Sequence, residues 1–180
     1  LLNMLHKWLR YEYDMQGKWD FVPCAVEWAF NNKEGAPLRL KLEDGQKFTI
    51  MGRVDRIDKN GDKVFVTDYK LGSVPAVDDL PNGVDLQLPI YLLAANKLYG
   101  KEVAGGGYLS MKEGKRKNNV KLDASQEFPF MDKKSKDHFA NIEDRWLAFK
   151  EGSEKLLRSY VQGIYDGNFN VQQMKKCNSY

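Results

Sequence analysis

Apolar residues along this chain switch repeatedly between the helical period and the two-residue period of a strand. Leu2, Leu5, Leu9 and Tyr13 recur at steps of three and four and predict a helix over residues 1–16. Residues 21–30 alternate, which puts Cys24, Val26, Trp28 and Phe30 on one side of a strand. Strand-like runs follow at 37–42 and 47–57 around Glu43-Asp44-Gly45-Gln46, a hairpin-turn composition. Asn60-Gly61 turns the chain into a further strand over 63–70, so these runs predict a three-stranded antiparallel meander. A Gly-, Pro- and Asp-rich loop covers 71–84. Next comes a helix over 85–99, with Asp85 able to cap it and Gly100 to end it. A strand is predicted over 102–111, where Gly105-Gly106-Gly107 marks a bulge or a close backbone approach. Residues 112–119 read as a basic connection and Val120-Lys121-Leu122 as a short return strand. A long helix closes the order over 136–165, with Phe139, Ile142, Trp146, Phe149, Leu156, Tyr160 and Ile164 as its stripe and Gly167 after it. The order of elements predicts a single mixed α/β (α+β) domain.

Composition narrows the function classes. A chain of 180 residues with 42% hydrophobic residues fits one domain with a real core and excludes wholesale disorder. A net charge of +3 excludes an acidic solvating tail and a polycation that grips nucleic acid by charge alone. The two cysteines, Cys24 and Cys177, cannot make a disulfide framework and suit a reducing, cytoplasmic setting. No apolar run reaches the roughly 18–20 residues of a membrane helix, and the first residues lack the features of a signal peptide. The sequence has no initiator Met and opens in mid-helix, so we expect a piece of a longer chain. It holds no P-loop motif.

The chemistry-bearing residues fall in three short segments. In an extended strand Val64, Val66, Asp68 and Lys70 share a face, which therefore passes from apolar residues into a carboxylate and an ammonium. Burying such a pair costs free energy unless a partner or a metal compensates. Asp55 lies on the preceding strand, expected opposite about residue 66 and so within diagonal reach of Asp68. Two carboxylates so close repel, and a hard divalent cation such as Mg2+ or Mn2+ removes the conflict. Gln87 and Tyr91, four apart, share one helix face.

Gly52-Arg53-Val54-Asp55-Arg56-Ile57-Asp58, Asp68-Tyr69-Lys70-Leu71-Gly72 and Gln87-x-x-x-Tyr91 resemble, in order and spacing, the motifs of the PD-(D/E)xK nuclease superfamily. The branch they are similar to is the RecB/AddB type, with Leu71 in place of its usual Thr. The resemblance implies a restriction-endonuclease-like core, a central mixed β-sheet flanked by helices. It implies a deoxyribonuclease, RecB/AddB-like and so tied to repair or recombination, that cuts DNA phosphodiester bonds with Mg2+ or Mn2+. Asp55 and Asp68 would hold the metal and Lys70 would position the attacking water. Gln87 and Tyr91 would point into the site and toward DNA, and Glu27 would be an upstream acidic contributor. A helicase subunit or domain is an implied partner, and no membrane is. Related nucleases use a histidine on an earlier helix; His6 is the upstream candidate, and its surroundings match that motif poorly. Some members carry an iron–sulfur cluster. Cys177 falls where the first of its three late cysteines would be, so a cluster would need a longer parent chain, and Cys24 is not its upstream ligand.

Other readings stand beside these. Lys115, Arg116 and Lys117, with Lys112 and Lys121, form a basic run that either contacts phosphates or is a solvated loop. Asp55 and Asp58 also fit a solvated hairpin edge, and Lys70 a surface partner of Asp68. His138 reads as a solvated position, and the stripe around Trp146 as core or a domain interface. At the level of the whole chain, the alternatives are a non-cleaving DNA- or partner-binding module on the same fold and a purely structural domain.

Overall fold

The computed structural model describes residues 2–76, 80, 83–131 and 139–168. His138 and Cys177 lie outside them. The elements are α1 (Leu2–Met15), β1 (Val22–Phe30), β2 (Leu38–Lys41), β3 (Lys47–Ile50), β4 (Gly52–Asn60), β5 (Lys63–Lys70), α2 (Gln87–Ala94, continued by a wider π-type turn over Ala95–Tyr99), β6 (Glu102–Ser110), β7 (Lys115–Lys121) and α3 (Arg145–Tyr165). Five strands form one sheet in the order β1-β4-β5-β6-β7. Only β5 and β6 are parallel. A parallel pair needs a crossover, and α2 supplies it. This is the mixed, helix-flanked α/β architecture that the resemblance implies.

The chain departs from the sequence reading at several places. The run over 47–57 is two strands, not one. β3 pairs with β2 in a separate hairpin, while β4 joins β1 and β5 in the large sheet. The break falls at Met51-Gly52, where Gly52 lies on the Phe30 ring; a Cβ there would sit 2.6 Å from Phe30 Cζ. Most of the basic connection over 112–119 is strand β7, which pairs with β6 and turns Arg116 and Val120 inward. The last helix starts at Arg145, where the Asp144 carboxylate accepts the Leu147 N–H at 2.8 Å, so Phe139 and Ile142 precede it. Strand β1 loses its alternation at Glu27, whose backbone takes a left-handed φ of 50°, and Val26 is left exposed.

The first helix forms as expected but turns a different face to the sheet. Leu2, Leu5, Leu9 and Tyr13 are all exposed. The inward residues are Trp8, which meets the Tyr69 ring edge-on, and Glu12, whose carboxylate pairs with Arg56 at 2.9 Å. A buried guanidinium needs its counter-ion more than the helix needs to cover leucines.

Two clusters cover the sheet. On one face Val64 and Val66 of β5 pack under Leu88, Leu92 and Leu93 of α2, and Phe149 and Leu157 of α3 join the same core. On the other, Phe65 packs with Trp19, Phe21, Ala104 and Phe128. The glycines of β6 make the close approach. A Cβ on Gly106 would lie 2.8 Å from a Leu92 methyl, and one on Gly105 would lie 2.3 Å from the Val120 carbonyl oxygen. With no side chain at Gly106, α2 lies directly on the sheet and its first turn comes over the end of β5, while Gly105 makes room for Phe128 on the opposite face.

Candidate active site

The site forms where β5 ends and α2 begins. In the β4–β5 ladder Arg56 faces Thr67 and Ile57 faces Val66. One further step along that register sets Asp55 beside Asp68 itself, rather than opposite residue 66. The Asp55 carboxylate accepts the Tyr69 N–H at 2.8 Å. The Asp68 side chain is only 1% exposed, with the Lys70 ammonium 2.8 Å from its Oδ2. Lys70 Nζ also donates to Gln87 Oε1 at 2.5 Å, and Gln87 Nε2 donates to the Tyr91 hydroxyl at 3.0 Å. Asp68, Lys70, Gln87 and Tyr91 therefore form one continuous chain of contacts, with Asp55 at its sheet end.

The electrostatics of this end are acidic. Burial raises the Asp68 carboxyl above its ordinary range; Lys70 pulls it back down, and the neighbouring Asp55 and Asp85 carboxylates push it up again. Burial also raises the Tyr91 phenol, against the Gln87 hydrogen bond and with Asp68 and Asp55 adding to the rise. Asp68 Oδ2 has the Lys70 ion pair but no aligned hydrogen-bond donor. A half-open pair of carboxylates with an incompletely satisfied oxygen fits a hard divalent cation, which is commonly held by one or two carboxylates plus water and phosphate oxygens. Asp55 and Asp68 are the residues that would hold it. Among the described residues no group of three or more His, Cys, Asp or Glu is assembled as a complete metal cage.

The other sequence candidates are placed unequally. Glu27 falls level with Asp55, between the register pairs Val26–Arg56 and Trp28–Val54. Its side chain runs outward to Arg53, 3.6 Å away, and is 64% exposed. Lys115 and Lys117 are half-exposed and pair with Glu113. Arg116 differs from these neighbours: its side chain is fully buried, so it offers no surface for a phosphate. It lies 2.5 Å from Thr67 Oγ1 and 3.4 Å from Asp58 Oδ2, and the Trp19 ring covers its guanidinium. Asp58 is fully buried, not a solvated hairpin edge. His6 is exposed on α1. The Cys24 thiol sits beside the Tyr99 hydroxyl and the Ile57 carbonyl, as a partly buried residue in packing contact with the core. No described helix is long and apolar enough to cross a membrane.

Sequence reasoning misses two members of this end. Asp85 reads there only as a helix cap, and Tyr108 only as strand. Tyr108 faces Asp68 across the parallel β5–β6 pair, which no local sequence pattern announces.

Known proteins are similar to this chain in the same sense. The chain is 31% identical over 169 residues to an ATP-dependent helicase/deoxyribonuclease subunit from Carboxydothermus hydrogenoformans, a match that covers 89% of this chain and 15% of that protein. It is 34% identical over 116 residues to the protein of that name from Alkaliphilus oremlandii, covering 58% of this chain and 10% of the relative. With its counterpart from Clostridium tetani it shares 39% over 79 residues, covering 41% and 7%. The chain thus spans about a seventh of the length of these relatives or less. A family model described as the PD-(D/E)XK nuclease superfamily matches residues 1–179, and the chain belongs to that superfamily.

Proposed function

We propose that this chain is a metal-dependent deoxyribonuclease domain, a single domain within a longer helicase–nuclease protein, that hydrolyses DNA phosphodiester bonds. The observation that carries the reading is the contact chain from Asp68 through Lys70 to Gln87, with Asp55 level with Asp68. A phosphodiester repels an attacking nucleophile by its charge, so the site must offset that charge and orient a water in line. Asp55 and Asp68 would hold Mg2+ or Mn2+, which when bound polarises a phosphoryl oxygen and lowers the pKa of a coordinated water. Lys70 donates toward the same space and is placed to orient the attacking water and to meet negative charge as it develops. Gln87 fixes the ammonium, and Tyr91 fixes Gln87. Glu27 is a contributor once its side chain leaves Arg53. Lys115 and Lys117 are the exposed candidates for phosphate contacts, and Arg116 is not one. A helicase portion of the parent protein is the implied partner. An iron–sulfur cluster, if the parent has one, would draw on Cys177 and on cysteines this sequence lacks.

The test is cleavage of linear DNA with Mg2+ or Mn2+ by the wild-type chain and by Lys70→Ala side by side. Loss of cleavage in the variant, with DNA binding kept, supports the reading. Equal cleavage by both refutes it. The non-cleaving module predicts DNA binding with no heat of divalent-ion binding, and titration calorimetry separates the two.

A further inference from the structure

We propose that Asp85 and Tyr108 form a buried positioning pair that sets the place of Lys70 and Gln87; the proposal rests on the reading of Lys70 as the water-orienting group. Tyr108 is 1% exposed and cannot touch DNA. Its ring lies beneath the Lys70 ammonium, 5.5 Å from Nζ to the ring centroid, within the range of a cation–π contact. Its hydroxyl donates to Asp85 Oδ2. The other oxygen of the same carboxylate accepts the backbone N–H of Gln87 at 3.1 Å. One carboxylate thus holds both the floor under Lys70 and the first residue of α2, which carries the Gln87 oxygen that Lys70 bonds.

The arrangement has a physical purpose. A lysine is a flexible chain ending in a point charge, and its four torsions leave the ammonium free unless several groups fix it. Asp68 and Gln87 hold it laterally. The Tyr108 ring holds it from below, and the hydrogen bond to Asp85 fixes the ring's tilt. Asp85 also lies close enough to act on the Asp68 carboxyl by charge. Misplacement of a reacting group by about 1 Å costs on the order of 100-fold in rate, so a pair without substrate contact still governs turnover.

The experiment uses the 180-residue chain with Tyr108→Phe, Asp85→Ala and Asp85→Asn. Tyr108→Phe keeps the ring and removes only the donor, so folding is preserved. Cleavage kinetics are measured on linear DNA with Mg2+. Separately, without metal or DNA, the rate at which an amine-acylating reagent labels Lys70 is measured against that at Lys115 by peptide mass mapping. Tyr108→Phe and Asp85→Ala are expected to lower kcat about tenfold with KM within about twofold, as misplacement predicts. Both should raise Lys70 labelling about threefold, by freeing the ammonium. Asp85→Asn, which keeps one acceptor oxygen, falls between Asp85→Ala and wild type. Unchanged Lys70 labelling in both variants overturns the pair, as does a loss that resides in KM. If neither the wild-type chain nor its correctly folded longer parent cuts DNA, the nuclease reading falls, and the labelling rates alone still decide whether Asp85 and Tyr108 hold Lys70.

Discussion

The two faces of β4 and β5 carry the same kinds of group in opposite conditions. On the α1 face Asp58 is met by two guanidiniums, Arg56 at 2.7 Å and Arg116 at 3.4 Å. Arg56 reaches on to Glu12 and to the Tyr69 hydroxyl, and rings of Trp19, Phe65 and Phe130 cover Arg116. On the α2 face the Asp68 carboxylate meets the Lys70 ammonium, which is partly open to water, while the neighbouring Asp55 carboxylate accepts the Tyr69 N–H. One cluster is closed and charge-matched; the other holds more negative charge than the chain itself compensates. Such a deficit at the mouth of a fold is where a cation and a polyanion can enter. The matched cluster instead joins α1 to the sheet. Tyr69 touches both: its N–H is on Asp55 and its hydroxyl is on Arg56.

The contrast predicts that mutations on the two faces fail in different ways. Asp68→Ala and Lys70→Ala should each lower DNA cleavage at least about a hundredfold, while melting temperatures stay near wild type. Calorimetric melting beside a cleavage assay checks this, and a variant that loses both together would erase the distinction. Asp58→Ala should do the reverse. It leaves two buried guanidiniums facing an empty place, at a cost of about 3–5 kcal/mol, read as a shift of the urea midpoint. Cleavage per folded molecule should survive it.

A smaller effect concerns pH. Burial raises the Asp68 carboxyl, so the folded chain binds that proton more tightly than the unfolded one. The resulting stability is fully present below the ordinary carboxylate range and is lost as pH rises through the raised value. Asp68→Asn stays neutral throughout, so in metal-free buffer it should exceed wild type at neutral pH and lose that advantage near about pH 3. Urea titrations at both pH values measure it; an equal difference at both would remove burial as the cause. Smallest is Glu12→Ala. It removes a partly exposed partner from Arg56, and should cost about 1 kcal/mol and loosen α1 without touching cleavage.

How far the sequence carries differs between the same two faces. The open site is legible because its residues sit at short, fixed spacings: alternate positions on one strand, a hairpin partner, and i,i+4 on a helix. The expected register is slightly off, since a turn composition locates a hairpin only to within a residue or two. The closed cluster is invisible in the sequence. Arg116 hides in the run Lys115-Arg116-Lys117, where strand alternation sends one cation in and two out, and nothing in a basic run says which. The buried face of α1 escapes for a related reason. Periodicity ranks faces by leucine content, and cannot see that Glu12 has a guanidinium waiting on the sheet. The extent of β7 and the start of α3 are missed because polar residues fill the one and a regular stripe runs past the other.

The bare position of β6 at Gly106 also acts as a gauge. It sets how low the crossover helix rides, and hence the 2.5 Å between Lys70 and Gln87 on neighbouring elements. A single methyl at position 106 would work like a shim under a hinge plate. The helix would rise, the amide would drift from the ammonium, and the blades would stand whole but out of true.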